Sequence, residues 1–526
     1  MNETKKTINK IVIPLICIVV IIFFIICFLS ALKNHKSNNI SSSSNIDNSS
    51  ISSSSITKGG TYKITGNNEC IVINTNDTVE LNLENANITC ESGPAINVES
   101  VEKLNIILTG ENNITSTTTE ELDGAIYSKD DLIFSGLGSL NITSNYDGIV
   151  SKDNITFNNG TYTINASDDG IRGKDSIIIT DGTFNIIASG DGIKTTNEID
   201  SSKGYIDITN GTFNITSGND SIQAITNLNI KNGSFTIKTT GNINSESDSS
   251  KGLKAGTLIT IDSGNYNLNT TDDAVHSNGN IIINNGEFTI NTKDDGLHSD
   301  DTLTINNGII NIENCYEGFE GSKIYIKGGN NSINASDDGI NAASSDSSAP
   351  SNNNMNGKDK FKNSSGILEI SGGTTKVISS GDGLDSNGTI TISGGTTYVE
   401  SSNNGPEEAI DHVGSMNITD GTLIAISKNL ANDDGTKTSN IPFINTSVNN
   451  GTGIISIEDI TYTPTTSLYK YIFIASSKLS TGSNTLTYGS NSTSVTLSTG
   501  TVNNIGGNQM RGQTPNGMNP QNPGMR

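Results

Sequence analysis

The sequence predicts an all-β protein built as a parallel β-helix with about 22 residues per coil, and three observations predict this fold. An Asn-Gly or Asp-Gly turn recurs at Gly160 and Gly182, and a second turn recurs at Gly148, Gly170 and Gly192. Between the turns lie short strands rich in Ile, Thr, Phe and Tyr that alternate in polarity. Helical periodicity is absent after residue 32, and a fixed period with glycine corners is typical of stacked coils.

The chain begins with a short polar segment, residues 1–10, followed by an almost wholly apolar segment, residues 11–32. About 22 apolar residues suffice to cross ~30 Å of hydrocarbon as a helix. Because Lys5, Lys6 and Lys10 precede this helix, we expect a cytoplasmic N-terminus and an extracellular remainder. The alternative is a cleaved signal peptide, but the apolar core of such a peptide runs only ~7–15 residues. Length therefore favours an uncleaved signal-anchor at the cell membrane, and either reading exports the chain.

The remaining chain divides by composition. Residues 33–56 are a Ser/Asn-rich tract with little to bury, which predicts a flexible linker. The β-helix is expected over residues 57–430, with a polar, disordered insertion at 344–365. The period fades after residue 430, and residues 431–500 predict antiparallel strands that cap the open end of the solenoid. A disordered tail is expected at residues 501–526.

Composition excludes some classes of function. Asp and Glu outnumber Lys and Arg by 55 to 31, a net charge of −24, so the chain lacks the basic surface that a nucleic-acid-binding protein needs. Trp is absent and aromatic residues are 5%, which disfavours a compact enzyme with a large aromatic core. Three cysteines outside the apolar segment do not make a disulfide framework, although Cys70 and Cys90 can pair if they lie on neighbouring coils.

An acidic column is the strongest candidate for a functional site. When the coils are aligned, the residue before the second turn is acidic at eleven of twelve positions: Asp123, Asp147, Asp169, Asp191, Asp220, Lys251, Asp273, Asp295, Glu317, Asp338, Asp382 and Glu408. Stacked carboxylates ~5 Å apart repel by roughly 3 kcal/mol per pair at an effective dielectric of ~20. Clustered oxygen ligands suit Ca²⁺. The alternative is that each Asp only stabilises its turn, but turn chemistry alone would also accept Asn, which is absent from this column.

Calcium is therefore the predicted cofactor, most strongly where Asp-Asp pairs fall on consecutive coils. The predicted metal ligands are Asp147, Asp168, Asp169, Asp191, Asp272, Asp273, Asp294, Asp295, Asp337 and Asp338.

A second column lies three residues after the acidic one. The second column should point outward, because the residues directly before it should point inward. These inward residues include Ile171, Ile193, Leu253, Leu297, Ile340 and Leu384. A solvated face and a binding groove beside the metal column are both open readings. Two histidines 22 residues apart look like a zinc pair, but without a third defined ligand they are a weak signal. The candidate ligand-binding residues are Arg172, Lys194, Lys254, His276 and His298.

Several motifs carry a resemblance to a known family. In chain order they are AIYSKDDL, YDGIVSKDN, DDGIRGKDSI, GDGIKTTN, DDAVHSNGN, DDGLHSDDTLTI, YEGFEG and SDDGINAA. Residues 57–430 resemble the bacterial carbohydrate-binding domain-containing β-helix family. The resemblance implies an exported or surface-anchored, right-handed parallel β-helix similar to pectate-lyase-type polysaccharide lyases. It also implies calcium binding and association with plant cell-wall polysaccharide and acidic sugars, rather than lyase activity.

The resulting hypothesis is a non-catalytic, membrane-anchored extracellular protein that binds acidic or cellulose-like polysaccharide. Calcium in the acidic column would bridge to uronate carboxylates, and the basic side chains of the second column would add charge pairing. Without Trp, the side chains available to stack on sugar rings are Tyr146, Tyr162, Tyr266 and Tyr316.

Two alternatives remain open, and no oligomer is expected. A calcium-dependent polysaccharide lyase would place a metal beside a Lys or Arg that abstracts the C5 proton of a uronate. The place to look is Asp168, Asp169 and Asp191, beside Arg172, Lys174 or Lys194. A passive surface stalk or adhesin is the third class.

Overall fold

The computed structural model describes residues 54–118, 121–242, 249–343, 365–402, 407–430 and 435–503. The predicted cytoplasmic and membrane-spanning segments, most of the linker, nearly all of the insertion and the tail from residue 504 lie outside these residues. Within the described part of the chain, no helix is both long enough and apolar enough to cross a membrane.

The chain forms an all-β parallel solenoid of about 16 turns with about 22 residues per turn, which confirms the predicted coil. Each turn contributes strands to three faces, and each strand pairs in parallel with its equivalents in the adjacent turns. Face 1 carries the six-residue strands, such as Thr161–Ala166, whose alternate side chains are buried. Faces 2 and 3 carry shorter strands, such as Ile171–Gly173 and Ser176–Ile179.

The strands of face 1 are Glu111–Ser116, Ser139–Ser144, Thr161–Ala166, Thr183–Ala188, Thr212–Ser217, Ser234–Thr239, Asn265–Thr270, Glu287–Thr292, Ile309–Cys315, Asn330–Ala335, Thr374–Ser379, Thr396–Ser401 and Thr422–Ser427. Those of face 2 are Ser54–Ile56, Ile71–Asn74, Ile96–Ser100, Gly124–Ser128, Asp147–Ser151, Ile171–Gly173, Ile193–Thr195, Ile222–Ala224, Leu253–Ala255, Val275–Ser277, Ile340–Ala342, Leu384–Ser386 and Ile410–His412. Those of face 3 are Leu104–Thr109, Leu132–Gly136, Asn154–Phe157, Ser176–Ile179, Tyr205–Ile208, Asn227–Ile230, Leu258–Ile261, Asn280–Ile283, Ile367–Ile370, Thr389–Ile392 and Ser415–Ile418. Four strands continue around a corner, Leu297–Ile305 and Phe319–Ile326 from face 2 to face 3, and Gly60–Asn68 and Val79–Cys90 from face 3 to face 1.

Loops leave the solenoid without breaking its stacking. Ile340 pairs with Leu384, and Ile324 pairs with Leu368, so the turns on either side of the 344–364 segment stack directly. At the N-terminal end, Ser54–Ile56 already pairs with the strand at residues 71–74 and buries Ile56, although the linker was predicted to continue to residue 56. Cys70 and Cys90 form a disulfide, with Cα atoms 5.0 Å apart.

The inside of face 1 holds a ladder of stacked aromatic rings. Adjacent ring centroids lie 5.0 Å apart between Tyr162 and Phe184, and 4.4 Å apart between Tyr266 and Phe288, within the stack Tyr162, Phe184, Phe213, Phe235, Tyr266 and Phe288. Offset stacks of this kind contribute ~0.5–1.5 kcal/mol per pair beyond the burial of their area. The prediction that Tyr162 and Tyr266 stack on sugar is therefore wrong, because both rings are buried in the core. Tyr146 is partly exposed and Tyr316 is 47% exposed.

The turn glycines allow the coils to stack closely. Gly211 has a φ of +146°, and a Cβ there would lie 2.9 Å from the ring of Phe213. At the second turn, a Cβ on Gly170 would lie 2.5 Å from the carbonyl oxygen of Gly192 in the next coil. Both corners therefore need a residue without a bulky side chain.

Antiparallel strands close the C-terminal end, as the sequence predicts. They are Thr436–Gly451, Ile455–Ile457, Ile460–Tyr462, Tyr469–Ser476, Gly482–Tyr488 and Asn491–Val502. Tyr469–Ser476 pairs antiparallel with Thr422–Ser427, the last described strand of face 1. These strands bury their own apolar cluster, which includes Tyr469, Ile472 and Leu486, and so cover the end of the solenoid.

Candidate functional site: an acidic column and its counter-charges

The acidic column lies at the corner between faces 1 and 2, where one oxygen of each of eight aspartates accepts a main-chain N–H of the next coil. The N–H of Asp169 donates to Asp147 Oδ1 at 2.9 Å, and the N–H of Asp191 donates to Asp169 Oδ1 at 2.8 Å. The same bond repeats along the column, with acceptors Asp191, Asp220, Asp273, Asp295, Asp338 and Asp382. Part of the acidic pattern is therefore structural, although these eight aspartates accept an N–H of the next coil rather than of their own turn.

The column has one irregular member at its N-terminal end. Gly124, rather than Asp123, pairs with Asp147, so Asp123 lies one residue out of the register that the sequence alignment assigned to it. The extra residue Ala125 between the turn and Ile126 accounts for this shift. Asp123 nevertheless contributes its carboxylate to the same corner, where it pairs with Arg172.

The second carboxylate oxygen faces the second column, whose members lie between two buried neighbours and point out of the core. Arg172 Nε donates to Asp147 Oδ2 at 2.6 Å, and the same guanidinium contacts Asp123. Lys194 Nζ lies 2.7 Å from Asp169 Oδ2 and 2.9 Å from Asp191 Oδ2. The predicted basic ligand-binding residues are thus outward-facing as expected, but they already hold the carboxylates of the column.

A similar arrangement recurs two coils further on, after Gln223. Lys254 Nζ donates to Asp220 Oδ2 at 2.9 Å. Lys251, the one basic member of the acidic column, lies 2.6 Å from both Asp272 and Asp273. Since Lys251 offers no carboxylate to the N–H of Asp273, Asp272 Oδ1 accepts that N–H at 2.9 Å instead. Lys251, which the sequence analysis noted only as an exception, is thus a counter-charge to this Asp-Asp pair.

Burial and neighbouring charges shift the pKa values of these groups. Burial raises the pKa of Asp147 to about 7, against the lowering effect of Arg172. Burial likewise raises the pKa of Asp191 to about 6, although Lys194 lowers it. The pKa of Lys194 is lowered by burial but raised more strongly by Asp191 and Asp169, so it lies above its ordinary value. These amines and carboxylates therefore form buried ion pairs whose members are costly to remove singly.

The histidines of the second column join a separate group of carboxylates. His276 Nδ1 lies 2.8 Å from Asp273 Oδ2. His298 Nδ1 lies 3.2 Å from Asp295 Oδ2 and 2.9 Å from Glu320 Oε2. Burial alone would lower the pKa of His298. Its hydrogen bonds with Asp295 and Glu320 outweigh that effect and raise the pKa to about 11. Glu320 is a second-column residue that the sequence analysis did not select, and its register with His298 was the available signal.

Carboxylates dominate the C-terminal half of the corner. Burial and the charges of neighbouring carboxylates raise the pKa of Asp382 to about 9 and that of Asp385 to about 8. The pKa of Glu317 rises to about 9 for the same two reasons, and that of Asp338 rises to about 6. In the part of the chain that the structure describes, no Lys or Arg lies within 4.0 Å of these four carboxylates.

The structure brings some of the predicted metal ligands together. One ligand atom from each member lies within 4.8 Å of the others in the groups Asp147, Asp168, Asp169 and Asp272, Asp273, Asp294. Both of these groups have cationic side chains beside them. Asp295 falls in the histidine group, and Asp338 falls in the acidic C-terminal half. Asp191 pairs with Lys194, and Asp337 lies next to Asp338 without joining any described three-residue group.

Fold and site together define a parallel β-solenoid with an acidic, partly ion-paired edge. The model of a family described as "Carbohydrate-binding domain-containing protein" matches residues 51–296 and 291–503, and the chain belongs to this family. No curated protein matches the chain significantly. A solved structure described as the polysaccharide lyase-like protein from C. thermocellum, gadolinium derivative, is 28% identical to it. That match covers 41% of this chain and 91% of the other, with a TM-score of 0.38.

Proposed function

We propose that the chain is a non-catalytic protein of the cell surface that binds acidic polysaccharide through calcium held at the acidic corner. The family supports carbohydrate binding as the general activity. The single observation that carries the finer proposal is the division of the corner into two halves. Arg172, Lys194 and Lys254 balance the N-terminal half, whereas among the described residues no Lys or Arg lies within 4.0 Å of the carboxylates of Glu317, Asp338, Asp382 and Asp385.

Calcium fits the C-terminal half by the chemistry of its donors, although Asp338, Asp382 and Asp385 are not among the described groups whose ligand atoms lie within 4.8 Å of one another. Asp338, Asp382 and Asp385 offer only oxygen donors, and Ca²⁺ takes six to eight oxygens from carboxylates, carbonyls, water or ligand. Their raised pKa values reflect burial and mutual repulsion, both of which a divalent cation offsets. When bound, calcium would supply a positive centre to which a uronate carboxylate can bind.

We propose that the polysaccharide also binds at the C-terminal half of the acidic corner. The basic residues predicted to contact ligand are already engaged with carboxylates, so Arg172, Lys194 and Lys254 are less available to a uronate than the sequence suggested. Tyr316 is 47% exposed and immediately precedes Glu317. Its ring offers a stacking surface for a sugar next to the acidic residues.

Binding is favoured over lyase chemistry by the state of the basic side chains. A lyase needs a Lys or Arg that gives up its proton to become the general base. Burial lowers the pKa of Arg172, but Asp147 and Asp123 raise it above its ordinary value, and the pKa of Lys194 is raised in the same way. Both side chains are therefore held in the protonated form, where they act as structural counter-charges.

Attachment to the cell is the remaining part of the proposal. The apolar segment at residues 11–32 follows Lys5, Lys6 and Lys10, so the solenoid is expected to be extracellular and held by a single-pass helix. Retention of the chain in washed membranes, and its release by external protease in intact cells, would support this topology. Recovery of the chain in the culture medium with residues 11–32 removed would contradict it.

The binding test uses the full chain and polygalacturonate immobilised on beads. We expect retention in millimolar Ca²⁺ and release by EDTA, with no rise in the ultraviolet absorbance of unsaturated uronide products. The D382N/D385N double variant should lose most of this retention, because it removes two of the carboxylates without a Lys or Arg partner. D207N, which removes a carboxylate on the outside of face 3, is the matched control and should bind as the parent does.

The outcomes separate the three functions. Product formation would overturn the binding-only proposal in favour of a lyase. Retention that survives both EDTA and the double substitution would contradict the calcium site while leaving carbohydrate binding in place. Failure to retain polygalacturonate and cellulose, together with a melting temperature that EDTA leaves unchanged, would support the passive stalk.

A further inference from the structure

The histidine pair of the second column differs from the basic residues that precede it. His276 and His298 are in direct register on adjacent strands of face 2, and their ring centroids are 4.7 Å apart. Lys254 occupies the equivalent position one coil earlier, where a fixed positive charge pairs with Asp220. A lysine already balances the carboxylate at this position one coil earlier, so an imidazole is not needed for that purpose. Two histidines on consecutive coils therefore point to a role other than charge balance.

Both imidazoles turn the same ring nitrogen toward one carboxylate oxygen. His276 Nδ1 lies 2.8 Å and His298 Nδ1 lies 3.7 Å from Asp273 Oδ2. Oxygens of Asp295 and Glu320 lie 3.2 Å and 2.9 Å from the same Nδ1 of His298. Ligands bonded at ~2.0 Å to a tetrahedral ion are ~3.3 Å from one another, so these separations bracket the edges of such a site.

The opposite nitrogens have partners that orient the rings. His276 Nε2 lies 3.2 Å from Asn278 Oδ1, and His298 Nε2 lies 3.4 Å from Asp300 Oδ1. Without an ion, the carboxylate oxygens beside the Nδ1 atoms accept a proton carried there. When an ion takes the place of that proton, the oxygen beside Nε2 can accept the remaining ring proton, and the Nδ1 lone pair is directed at the ion. Outer oxygen partners of this kind are a regular feature of metal-bound histidines.

Access and burial also suit an ion. The side chain of Asp273 is 3% exposed, whereas those of His276 and His298 are 12% and 24% exposed. The acidic ligand therefore lies below the surface, and the imidazoles form a rim that opens to solvent. An ion can enter past the histidines and lose most of its water against the carboxylates.

We propose that His276, His298 and Asp273, whose ligand atoms all lie within 4.8 Å of one another, bind one divalent first-row transition ion such as Zn²⁺. Mixed imidazole and carboxylate donors select Zn²⁺ and its neighbours over Ca²⁺, which prefers oxygen alone. This site is distinct from the calcium proposed for the C-terminal half of the corner, and it does not depend on that proposal. A proton on His298 balances the same carboxylates, so ion and proton compete for Nδ1.

The test is a Co²⁺ titration of the full chain without a polyhistidine tag, at about pH 8. We expect a visible d–d band that saturates near one equivalent, is displaced by Zn²⁺ and persists in excess Ca²⁺. H276Q and H298Q should each bind at least ~10-fold more weakly. K323Q, which removes an exposed lysine paired with Asp301 on face 3, is the control and should titrate like the parent.

A second measurement keeps the proposal testable if a histidine variant misfolds. Cu²⁺ bound to the parent chain should show coupling to imidazole nitrogen in its electron paramagnetic resonance spectrum. Co²⁺ affinity that is unchanged in folded H276Q and H298Q would overturn the proposal. So would a parent spectrum with oxygen ligands alone, or the absence of any saturable Co²⁺ band; in each case the histidines serve only as counter-charges.

Discussion

At the scale of single residues, the two oxygens of a column aspartate in the N-terminal half have different partners, as Asp169 shows. Oδ1 of Asp169 accepts the N–H of Asp191 in the next coil, while Oδ2 faces Lys194 and Arg172. The first contact fixes the corner and the second balances its charge. Because the carboxylates are nearly buried, loss of one cation leaves an uncompensated charge in a poorly solvated place.

Arg172 is the sharpest place to test this balance. Its guanidinium contacts Asp123, Asp147 and Asp169 and is 17% exposed. We expect R172Q to destabilise the chain by ~3–5 kcal/mol near pH 8, since three carboxylates lose their partner at once. The loss should be smaller near pH 5, because Asp147, whose pKa is already about 7, is then protonated. Urea unfolding at the two pH values measures both quantities.

K323Q provides the comparison for that experiment. In the parent chain, Lys323 pairs with Asp301, and both side chains are about half exposed. Exposed ion pairs of this kind contribute only ~0–1 kcal/mol to stability. The unfolding midpoint of K323Q should therefore stay close to that of the parent at either pH. An R172Q midpoint that shifts equally at pH 5 and pH 8 would mean that lost packing, rather than lost charge, explains the destabilisation.

At the scale of elements, a buried glutamate fastens the cap to the coils. Glu400, on the face 1 strand Thr396–Ser401, is fully buried. Its carboxylate accepts the hydroxyl of Tyr462 and the N–H groups of Thr465 and Thr466, the latter at 2.7 Å. Tyr462 also stacks on Tyr398. One side chain thus satisfies three donors of the cap at the solenoid surface.

Substituting this residue should loosen the cap before the coils. In E400Q an amide replaces the carboxylate, so its NH₂ group faces main-chain donors, and we expect a cost of ~2–3 kcal/mol. Amide hydrogen exchange should accelerate at residues 460–468 while the strands of the central coils keep their protection. E369Q, on the outside of face 3, is the matched control. Unchanged exchange at residues 460–468 would show that other contacts hold the cap.

The repeat made the elements predictable, whereas contacts between side chains were less so. The 22-residue period placed Asp147, Asp169 and Asp191 in one stack, because parallel coils in register require it. It did not indicate that Arg172 reaches back to Asp123, since that depends on the side-chain conformation. The burial of Tyr162 was predictable in principle, because it alternates with the inward Ile164, two residues away.

Contacts of the cap and the disulfide could not be predicted from the repeat. Glu400 meets Tyr462 across 62 residues, and no repeat connects the two positions. The Cys70–Cys90 pairing required knowing that both residues lie on adjacent coils, and the aligned repeat did not establish this because it begins only at Asp123. Long-range contacts between non-equivalent positions therefore needed the structure.

At the scale of the whole molecule, the net charge of −24 is distributed unevenly. The N-terminal half of the corner is balanced by buried Arg and Lys, while Glu317, Asp382 and Asp385 hold carboxylates whose pKa values are raised to about 9, 9 and 8. A carboxylate with a raised pKa in the folded state binds protons more strongly there than in the unfolded chain. Its stabilising contribution is complete below ~pH 4 and is lost as pH rises through the folded-state value.

This linkage predicts how pH and calcium act on the full chain. In EDTA, stability should fall by at least ~2 kcal/mol from about pH 5 to about pH 9, since each pKa unit corresponds to ~1.4 kcal/mol. Groups with lowered values, such as Asp273 and Asp175, lose their contribution only below ~pH 4, so they do not oppose this trend. Calcium should restore stability most at about pH 9, where its ligands are deprotonated.

Thermal unfolding across pH, with EDTA or with Ca²⁺, measures both effects. D382N/D385N should flatten the fall in EDTA and remove most of the calcium response, because the amides neither titrate nor supply the same charge to an ion. D207N should leave both curves in place. Stability that rises between pH 5 and pH 9 in EDTA would contradict the assignment of raised pKa values to this half of the corner. A flat calcium response at pH 9 would separately contradict the calcium site.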